Sequence, residues 1–162
     1  MLHAAPILEW GRSRPVLSKR VGNAGPLNGV HILLVDDERD SRALLSAIFS
    51  SVGASVTSVD RADAALQALT QHAGPSFDLA VVDIRLPDMP GYELLREIRS
   101  QGHAHGRIPA IAVTGFDSPA IRNAIREVAF DAYLLKPIDR AGLIRAAVRA
   151  IQSKPEPGSP DN

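Results

Sequence analysis

Short apolar runs alternate with stretches in which apolar residues recur every three or four positions. The runs predict strands covered on both faces, and the recurring spacing predicts amphipathic helices. The predicted strands are residues 32–35, 55–59, 79–82, 108–113 and 132–135. The first, second and fourth predicted helices are residues 40–52, 62–72 and 119–129. The third helix passes through Leu94, Leu95 and Ile98, and the fifth through Leu143, Ala147 and Ile151. Five strand–helix pairs in succession predict an α/β fold, with a parallel sheet, right-handed crossovers and helices on both faces.

Two details of these helices are expected from the same pattern. In the first helix, Leu44, Leu45, Ile48 and Val52 form the predicted apolar stripe, and Gly53 is placed to end the helix. The fourth helix lacks a glycine before the last strand, because Ala129, Phe130 and Asp131 stand there. That helix must therefore end by another route.

The two ends of the chain differ from this pattern. Residues 1–27 mix proline, glycine and scattered charge without a sustained period, and we interpret them as a flexible arm. Residues 153–162 are rich in proline and polar residues and predict a disordered tail. One folded domain is expected between them, over residues 28–152.

The composition narrows the class of protein. With no cysteine among 162 residues, disulfides, thiolate zinc sites and cysteine nucleophiles are excluded. No run of residues is long and apolar enough to span a membrane. The formal net charge is zero, and no strongly basic stretch predicts binding to nucleic acid. We therefore expect a cytoplasmic protein without a membrane or nucleic-acid partner.

Polar side chains stand where four of the predicted strands end. Asp36 and Asp37 follow the first strand, Asp83 the third, Thr114 the fourth and Lys136 the fifth. In an open parallel sheet, ligands bind beyond the carboxyl ends of the strands. We expect three carboxylates, a hydroxyl and an ammonium group to converge there.

Such a cluster suits chemistry on a phosphoryl group. Neighbouring carboxylates raise one another's pKa unless a cation neutralises them, and an oxygen-only cluster favours Mg²⁺, with Mn²⁺ as the alternative. One carboxylate can then act as a nucleophile, and the phosphoryl oxygens need a hydroxyl and a cation. Lys136 is the only lysine of the predicted domain, although the chain has 15 arginines. A compact ammonium enters a crowded oxygen cluster where a guanidinium would clash.

These motifs, in this order, resemble the receiver domain of two-component response regulators. The resemblance rests on Asp36-Asp37, on the segment from Asp83 to Gly91, on Thr114-Gly115 and on Lys136-Pro137, and it covers about residues 29–152. It implies the doubly wound, flavodoxin-like fold with five strands in the order 2-1-3-4-5 and five helices. It also implies a signalling domain that is not an enzyme, beyond catalysing its own phosphorylation and dephosphorylation.

The resemblance assigns a role to each residue. It implies that Asp83 accepts the phosphoryl group, that Asp37 binds the metal directly and that Asp36 binds it through water. It further implies that the main-chain carbonyl of Arg85 is the third metal ligand, and that Thr114 and Tyr133 form the switch. Lys136 is implied to be the cation that pairs with the phosphoryl group, and the Lys136–Pro137 bond is implied to be cis. The implied partners are a histidine kinase or histidine phosphotransfer protein, and a downstream protein or a second copy bound through the last two helices.

Three alternatives remain open. The first is a detached receiver module of a hybrid histidine kinase, because Pro26-Leu-Asn-Gly29 resembles the junction before such modules. The second is a Mg²⁺-dependent phosphohydrolase with an aspartyl-phosphate intermediate, although Arg85 stands where such enzymes carry a general acid. The third is a flavodoxin-like binder, although no phosphate-binding loop rich in Gly, Ser or Thr follows the first strand.

Two further features lie near or outside this cluster. Arg85 and Phe116 are bulky and flank the predicted site, so we expect them to restrict attacking water and slow loss of phosphate. His103 and His105 stand between two glycines, and without further ligands they favour a solvated loop over a metal site.

Overall fold

The computed structural model of the protein describes residues 25–71, 76–101 and 107–153. Within these residues, five strands alternate with five helices. The strands are β1 (His31–Val35), β2 (Ser55–Val59), β3 (Leu79–Asp83), β4 (Ala110–Thr114) and β5 (Ala132–Leu135). The helices are α1 (Arg39–Ser51), α2 (Ala62–Gln71), α3 (Gly91–Ser100), α4 (Pro119–Glu127) and α5 (Arg140–Gln152).

All neighbouring strands of the single described sheet are parallel, in the order β2-β1-β3-β4-β5. The predicted doubly wound, flavodoxin-like fold is therefore confirmed. β4 begins two residues later than predicted, because Pro109 has no N–H to donate to a strand ladder.

Alternate residues of each central strand face opposite layers of helices. In β1, Ile32 and Leu34 pack against α1 and α5, while Leu33 and Val35 pack against α2 and α3. These four side chains are fully buried, which explains why their positions form a continuous apolar run and do not alternate between apolar and polar residues. Burial on both faces also fixes the register, because a slip by one residue would exchange the two layers.

The predicted stripe of α1 is partly wrong. Leu44 is 58% exposed, whereas Phe49, which the stripe omitted, is fully buried. Phe49 moves the centre of the buried face toward Leu45, which leaves Leu44 about a quarter turn away from it.

The boundary of the predicted arm also changes. Residues 25–27 were assigned to the arm, but Leu27 is only 1% exposed and its N–H donates to the Val52 carbonyl at 3.1 Å. Gly53 has a φ of +94°, as expected for a residue that ends a helix, and a Cβ there would lie 2.9 Å from the Asn28 Cα. The packed unit therefore includes residues 25–27. The other residues of the predicted arm and tail, apart from Ser153, and both His103 and His105 lie outside the described residues.

Helix α4 ends without a glycine. Ala129 takes the left-handed conformation itself, with a φ of +60°, and its N–H donates to the Arg126 carbonyl at 3.1 Å. A residue with a Cβ is disfavoured in this region, whereas glycine is not. Ala129 therefore stores local strain at the end of α4.

We predict that Ala129→Gly stabilises the protein by about 0.5–1 kcal/mol, because relief of the left-handed conformation outweighs the added entropy of the unfolded chain. Urea unfolding measures this as a higher midpoint at an unchanged slope.

Ala47→Gly is the matched control, since Ala47 is exposed in the interior of α1. It should lose about 1 kcal/mol. A similar loss in Ala129→Gly would contradict the strain at Ala129.

Candidate functional site

The polar residues at the strand ends meet at one edge of the sheet, and Lys136 is at their centre. Its Nζ donates to Asp83 Oδ2 at 2.8 Å and to Asp36 Oδ2 at 2.9 Å, and lies 3.8 Å from a carboxylate oxygen of Glu38. The Lys136–Pro137 peptide bond is cis, as the resemblance implied. Desolvation opposes the charge of the ammonium, but the hydrogen bonds to the two aspartates outweigh it and raise the pKa of Lys136 above its ordinary value.

Asp36 has no exposed surface and is held by the start of α1. Its Oδ1 accepts the main-chain N–H of Glu38 at 2.9 Å, and its Oδ2 accepts the Ser41 hydroxyl at 2.6 Å in addition to Lys136. Arg42 donates to the Asp36 carbonyl oxygen at 2.7 Å. Both the carboxylate and the carbonyl of Asp36 are therefore oriented by the same helical turn.

Asp83 ends β3 and is 5% exposed. Its Oδ1 accepts the N–H of Arg85 at 2.8 Å, and its Oδ2 accepts Lys136. Burial raises the pKa of Asp83 above its ordinary value, and although Lys136 and the N–H of Arg85 lower it, they do not outweigh burial. A further cation at this carboxylate would favour its charged, nucleophilic form.

The loop after Asp83 is tied to its surroundings at two positions. Where it ends, a Cβ on Gly91 would overlap the Asp83 carbonyl oxygen, so only glycine lets α3 begin this close to β3. Within the loop, Asp88 accepts the N–H groups of Ala62 and Asp63 at 2.9 and 2.8 Å and so caps α2. Desolvation alone would raise the pKa of Asp88, but these hydrogen bonds outweigh it and lower the pKa.

The carboxylates fit a divalent cation. One oxygen each from Asp36, Asp37 and Asp83 lies within 4.8 Å of the others. Asp37 is exposed, and none of the described residues donates a hydrogen bond to its carboxylate. Three carboxylate oxygens, of which the one on Asp37 is exposed to water, match the oxygen ligands and retained waters of Mg²⁺. The carbonyl of Arg85 stays a prediction as a further ligand.

Thr114 lies beside this cluster, but its hydroxyl bonds within its own loop. Thr114 is fully buried; its Oγ1 accepts the N–H of Phe116 at 3.1 Å and lies 3.3 Å from the Phe116 carbonyl oxygen. Among the described contacts, none joins this hydroxyl to Asp83. Thr114 thus stands at the predicted position while its hydroxyl is engaged elsewhere.

Tyr133 is held on the outside of the same loop. Its phenol donates to Asp117 Oδ1 at 3.1 Å, and Arg122 Nε lies 3.2 Å from the same oxygen. Desolvation and the hydrogen bond to Asp117 raise the pKa of the Tyr133 phenol. Asp117 therefore ties Tyr133 in β5 to Arg122 in α4.

The two bulky residues that were predicted to flank the site lie next to each other. The guanidinium carbon of Arg85 is 6.0 Å from the centre of the Phe116 ring, and both residues are exposed. This distance is within reach of a cation–π contact between the β3–α3 and β4–α4 loops.

Three residues that hold the predicted site residues in place were not predicted from the sequence: Ser41, Arg42 and Asp117. Ser41 and Arg42 lie five and six residues after Asp36, in the first turn of the helix that Asp36 precedes. That spacing was visible, since a helix that starts after a strand end turns its first residues back toward it. Asp117 had no such signal, because its partner is 16 residues away on another strand.

Among the described residues, no helix is long and apolar enough to cross a bilayer.

Known proteins are similar to this chain in sequence. The family profile of the response regulator receiver domain matches residues 32–148. The two-component response regulator ORR5 of rice is 32% identical over 75% of this chain and 89% of its own length. The probable transcriptional regulator ycf27 of Cyanidium caldarium is 31% identical, but this chain spans only 48% of its length.

Two solved structures are similar in fold. The CheY-like receiver domain protein of Methanospirillum hungatei is 27% identical with a TM-score of 0.69, over 77% of this chain and 95% of that one. The receiver domain of the sensor histidine kinase PA1611 of Pseudomonas aeruginosa, with a magnesium ion in its active site cleft, is 34% identical with a TM-score of 0.67, over 77% and 99%. The matched family, these neighbours and the cluster at the strand ends lead to one conclusion: the chain belongs to the family of response regulator receiver domains.

Proposed function

We propose that this protein accepts a phosphoryl group on Asp83 from a histidine kinase or histidine phosphotransfer protein, in a Mg²⁺-dependent phosphorelay, and acts through protein–protein contacts. The observation that carries this proposal is the contact of one ammonium with two buried carboxylates, Asp36 and Asp83. Its setting would be the cytoplasm.

The transfer step follows from these contacts. A carboxylate oxygen of Asp83 attacks phosphorus while the P–N bond to the donor histidine breaks; the imidazole keeps the electron pair and takes a proton from solvent. Lys136 already donates to Asp83 Oδ2, so it is placed to donate to an oxygen of the transferred group. Mg²⁺, held by Asp37, Asp83, the Arg85 carbonyl and, through water, Asp36, would neutralise phosphoryl charge.

The response to phosphorylation would begin at Thr114. To reach the new phosphoryl oxygens, the hydroxyl must leave the main chain of Phe116, and that moves the loop that carries Asp117. Loss of the Asp117 contact would free Tyr133 to turn inward and change the surface of α4 and α5, where we place the downstream partner or second copy.

A receiver module of a hybrid kinase is a second candidate. It is supported by the 34% identity to the receiver domain of the PA1611 sensor kinase and by the turn at residues 26–29, where Leu27 is buried. A phosphotransfer profile separates the two, since such a module passes its phosphoryl group to a histidine phosphotransfer protein. The phosphohydrolase alternative is disfavoured because Arg85 stands where a general acid is required.

We predict that Mg²⁺ and a small phosphodonor add the mass of one phosphoryl group to the protein, and that Asp83→Asn abolishes this adduct. Intact mass spectrometry measures it. Asp88→Asn, in the same loop but outside the carboxylate cluster, is the control and should still be modified. An adduct on Asp83→Asn, or rapid turnover of phosphate esters by the wild type, would contradict the proposal.

We expect Arg85→Ala to shorten the lifetime of the phosphorylated protein by about tenfold, or about 1.4 kcal/mol of activation free energy, because water then reaches the phosphoryl group. The decay of the adduct after removal of phosphodonor measures this lifetime. Arg96→Ala, an exposed arginine of α3, should leave it unchanged. Equal lifetimes of wild type and Arg85→Ala would rule out a shielding role.

We also predict that Asp117→Asn lowers the pKa of the Tyr133 phenol toward its ordinary value, because the acceptor charge that opposes tyrosinate is removed. Absorbance of tyrosinate during an alkaline titration measures the shift, and Tyr133→Phe identifies which of the two tyrosines titrates. An unchanged titration would show that Asp117 does not hold this phenol in solution.

A further inference from the structure

We propose that Ser41 is a positioning residue that holds Asp36 as a water-mediated metal ligand and thereby favours Mg²⁺ over Ca²⁺. This inference rests on the metal site of the proposed function. It concerns a hydroxyl of α1, which lies outside the set of groups that would touch the metal or the phosphoryl group.

Hydrogen bonds occupy most of the lone pairs of the Asp36 carboxylate. A carboxylate oxygen accepts about two hydrogen bonds in its plane. Oδ2 already has two donors, Ser41 at 2.6 Å and Lys136 at 2.9 Å, and Oδ1 has one, the N–H of Glu38 at 2.9 Å. Only one acceptor position of Asp36 therefore remains open, and it is on Oδ1.

This occupancy limits how Asp36 can meet a metal. A bidentate contact needs both oxygens, and Ser41 and Lys136 occupy Oδ2. The exposed carboxylate of Asp37 has no hydrogen-bond donor among the described residues, so it is the one available for direct contact. The one open position of Asp36, on Oδ1, allows a single contact at the metal site, which we assign to a hydrogen bond from a metal-bound water.

The same limit discriminates between cations. Mg²⁺ takes six ligands in near-octahedral geometry and keeps several waters, whereas Ca²⁺ takes six to eight ligands and readily accepts bidentate carboxylates. A site in which Asp36 is restricted to a water-mediated contact suits the first cation and withholds oxygens from the second. Of the two donors on Oδ2, Lys136 is also needed to bind the phosphoryl group. Ser41 is therefore the donor whose main effect is on the preference between Mg²⁺ and Ca²⁺.

Ser41 is also placed to act on geometry rather than on charge. It belongs to the same turn of α1 as Arg42, which holds the Asp36 carbonyl at 2.7 Å. With both groups of Asp36 fixed by one turn, removal of the hydroxyl would loosen the buried carboxylate, which would keep only Lys136 and the N–H of Glu38 as donors. Loss of such an orienting hydrogen bond lowers metal affinity by about 10- to 100-fold.

The test measures metal binding to the full chain without phosphodonor. Electron paramagnetic resonance of free Mn²⁺ gives its affinity, and competition gives the affinities for Mg²⁺ and Ca²⁺. We expect Ser41→Ala to bind Mg²⁺ about tenfold more weakly. We expect Ca²⁺ to be weakened less, because the position on Oδ2 that the Ser41 hydroxyl leaves open becomes available to it, so the preference for Mg²⁺ falls.

Two further variants separate the hydroxyl from side-chain shape. Ser41→Thr keeps the hydroxyl and should retain wild-type affinity and preference, whereas Ser41→Val has the shape of threonine without the hydroxyl and should behave like Ser41→Ala. Ser50→Ala, at an exposed serine of the same helix, controls for helix propensity and should match the wild type.

Three outcomes would overturn the inference. Unchanged affinity and preference in Ser41→Ala and Ser41→Val would show that the hydroxyl has no effect on the metal. An equal loss for Mg²⁺ and Ca²⁺ would show a general structural role instead. Absence of Mn²⁺ and Mg²⁺ binding by the wild type would overturn the metal site of the proposed function as well, so the two failures are distinguishable.

Discussion

The site depends on the placement of one ammonium group among carboxylates that would otherwise repel one another. Lys136 donates to the carboxylates of Asp36 and Asp83, which are 0% and 5% exposed. Without a cation partner, burial of two charged carboxylates would destabilise the fold. Asp36 follows β1 and Asp83 ends β3, and these two strands are neighbours, whereas Lys136 follows the edge strand β5. The contact therefore joins the middle of the sheet to its edge. The chemistry is thus tied to the order of the strands.

The helices add a second constraint at the same edge. The first turn of α1 contributes the hydrogen bonds that orient Asp36, and the cap that Asp88 places on α2 ties down the loop after Asp83. The loop after β4 is held in turn by Thr114 and by the contacts of Asp117 with Tyr133 and Arg122. Each loop at the site is therefore connected to a helix or strand that can transmit a change in the loop's position.

Much of this arrangement was accessible from the pattern of residues. Strands buried on both faces leave a clear signal, because they contain continuous apolar runs, as at residues 32–35 of β1 and 79–82 of β3. Errors arose where a side chain lies at the border of a buried face. Leu44 belongs to the helical spacing of α1 but is exposed, and Leu27 stands in a segment rich in glycine and proline but is buried. In both cases the decision was made by packing partners elsewhere in the chain.

For this protein, the sequence by itself determined the class of fold and the residues that gather at the strand ends, because local periodicity and the direction of parallel strands are properties of short segments. Only the tertiary structure decided which donors meet which acceptors. Ser41 is only five residues from Asp36 in the sequence, so their contact is local. Tyr133 contacts Asp117, and Lys136 contacts Asp36 across 100 residues, only because the sheet brings these residues together. Hydrogen bonds depend on distances of a few tenths of an ångström, and those distances are set by the packing of the whole domain.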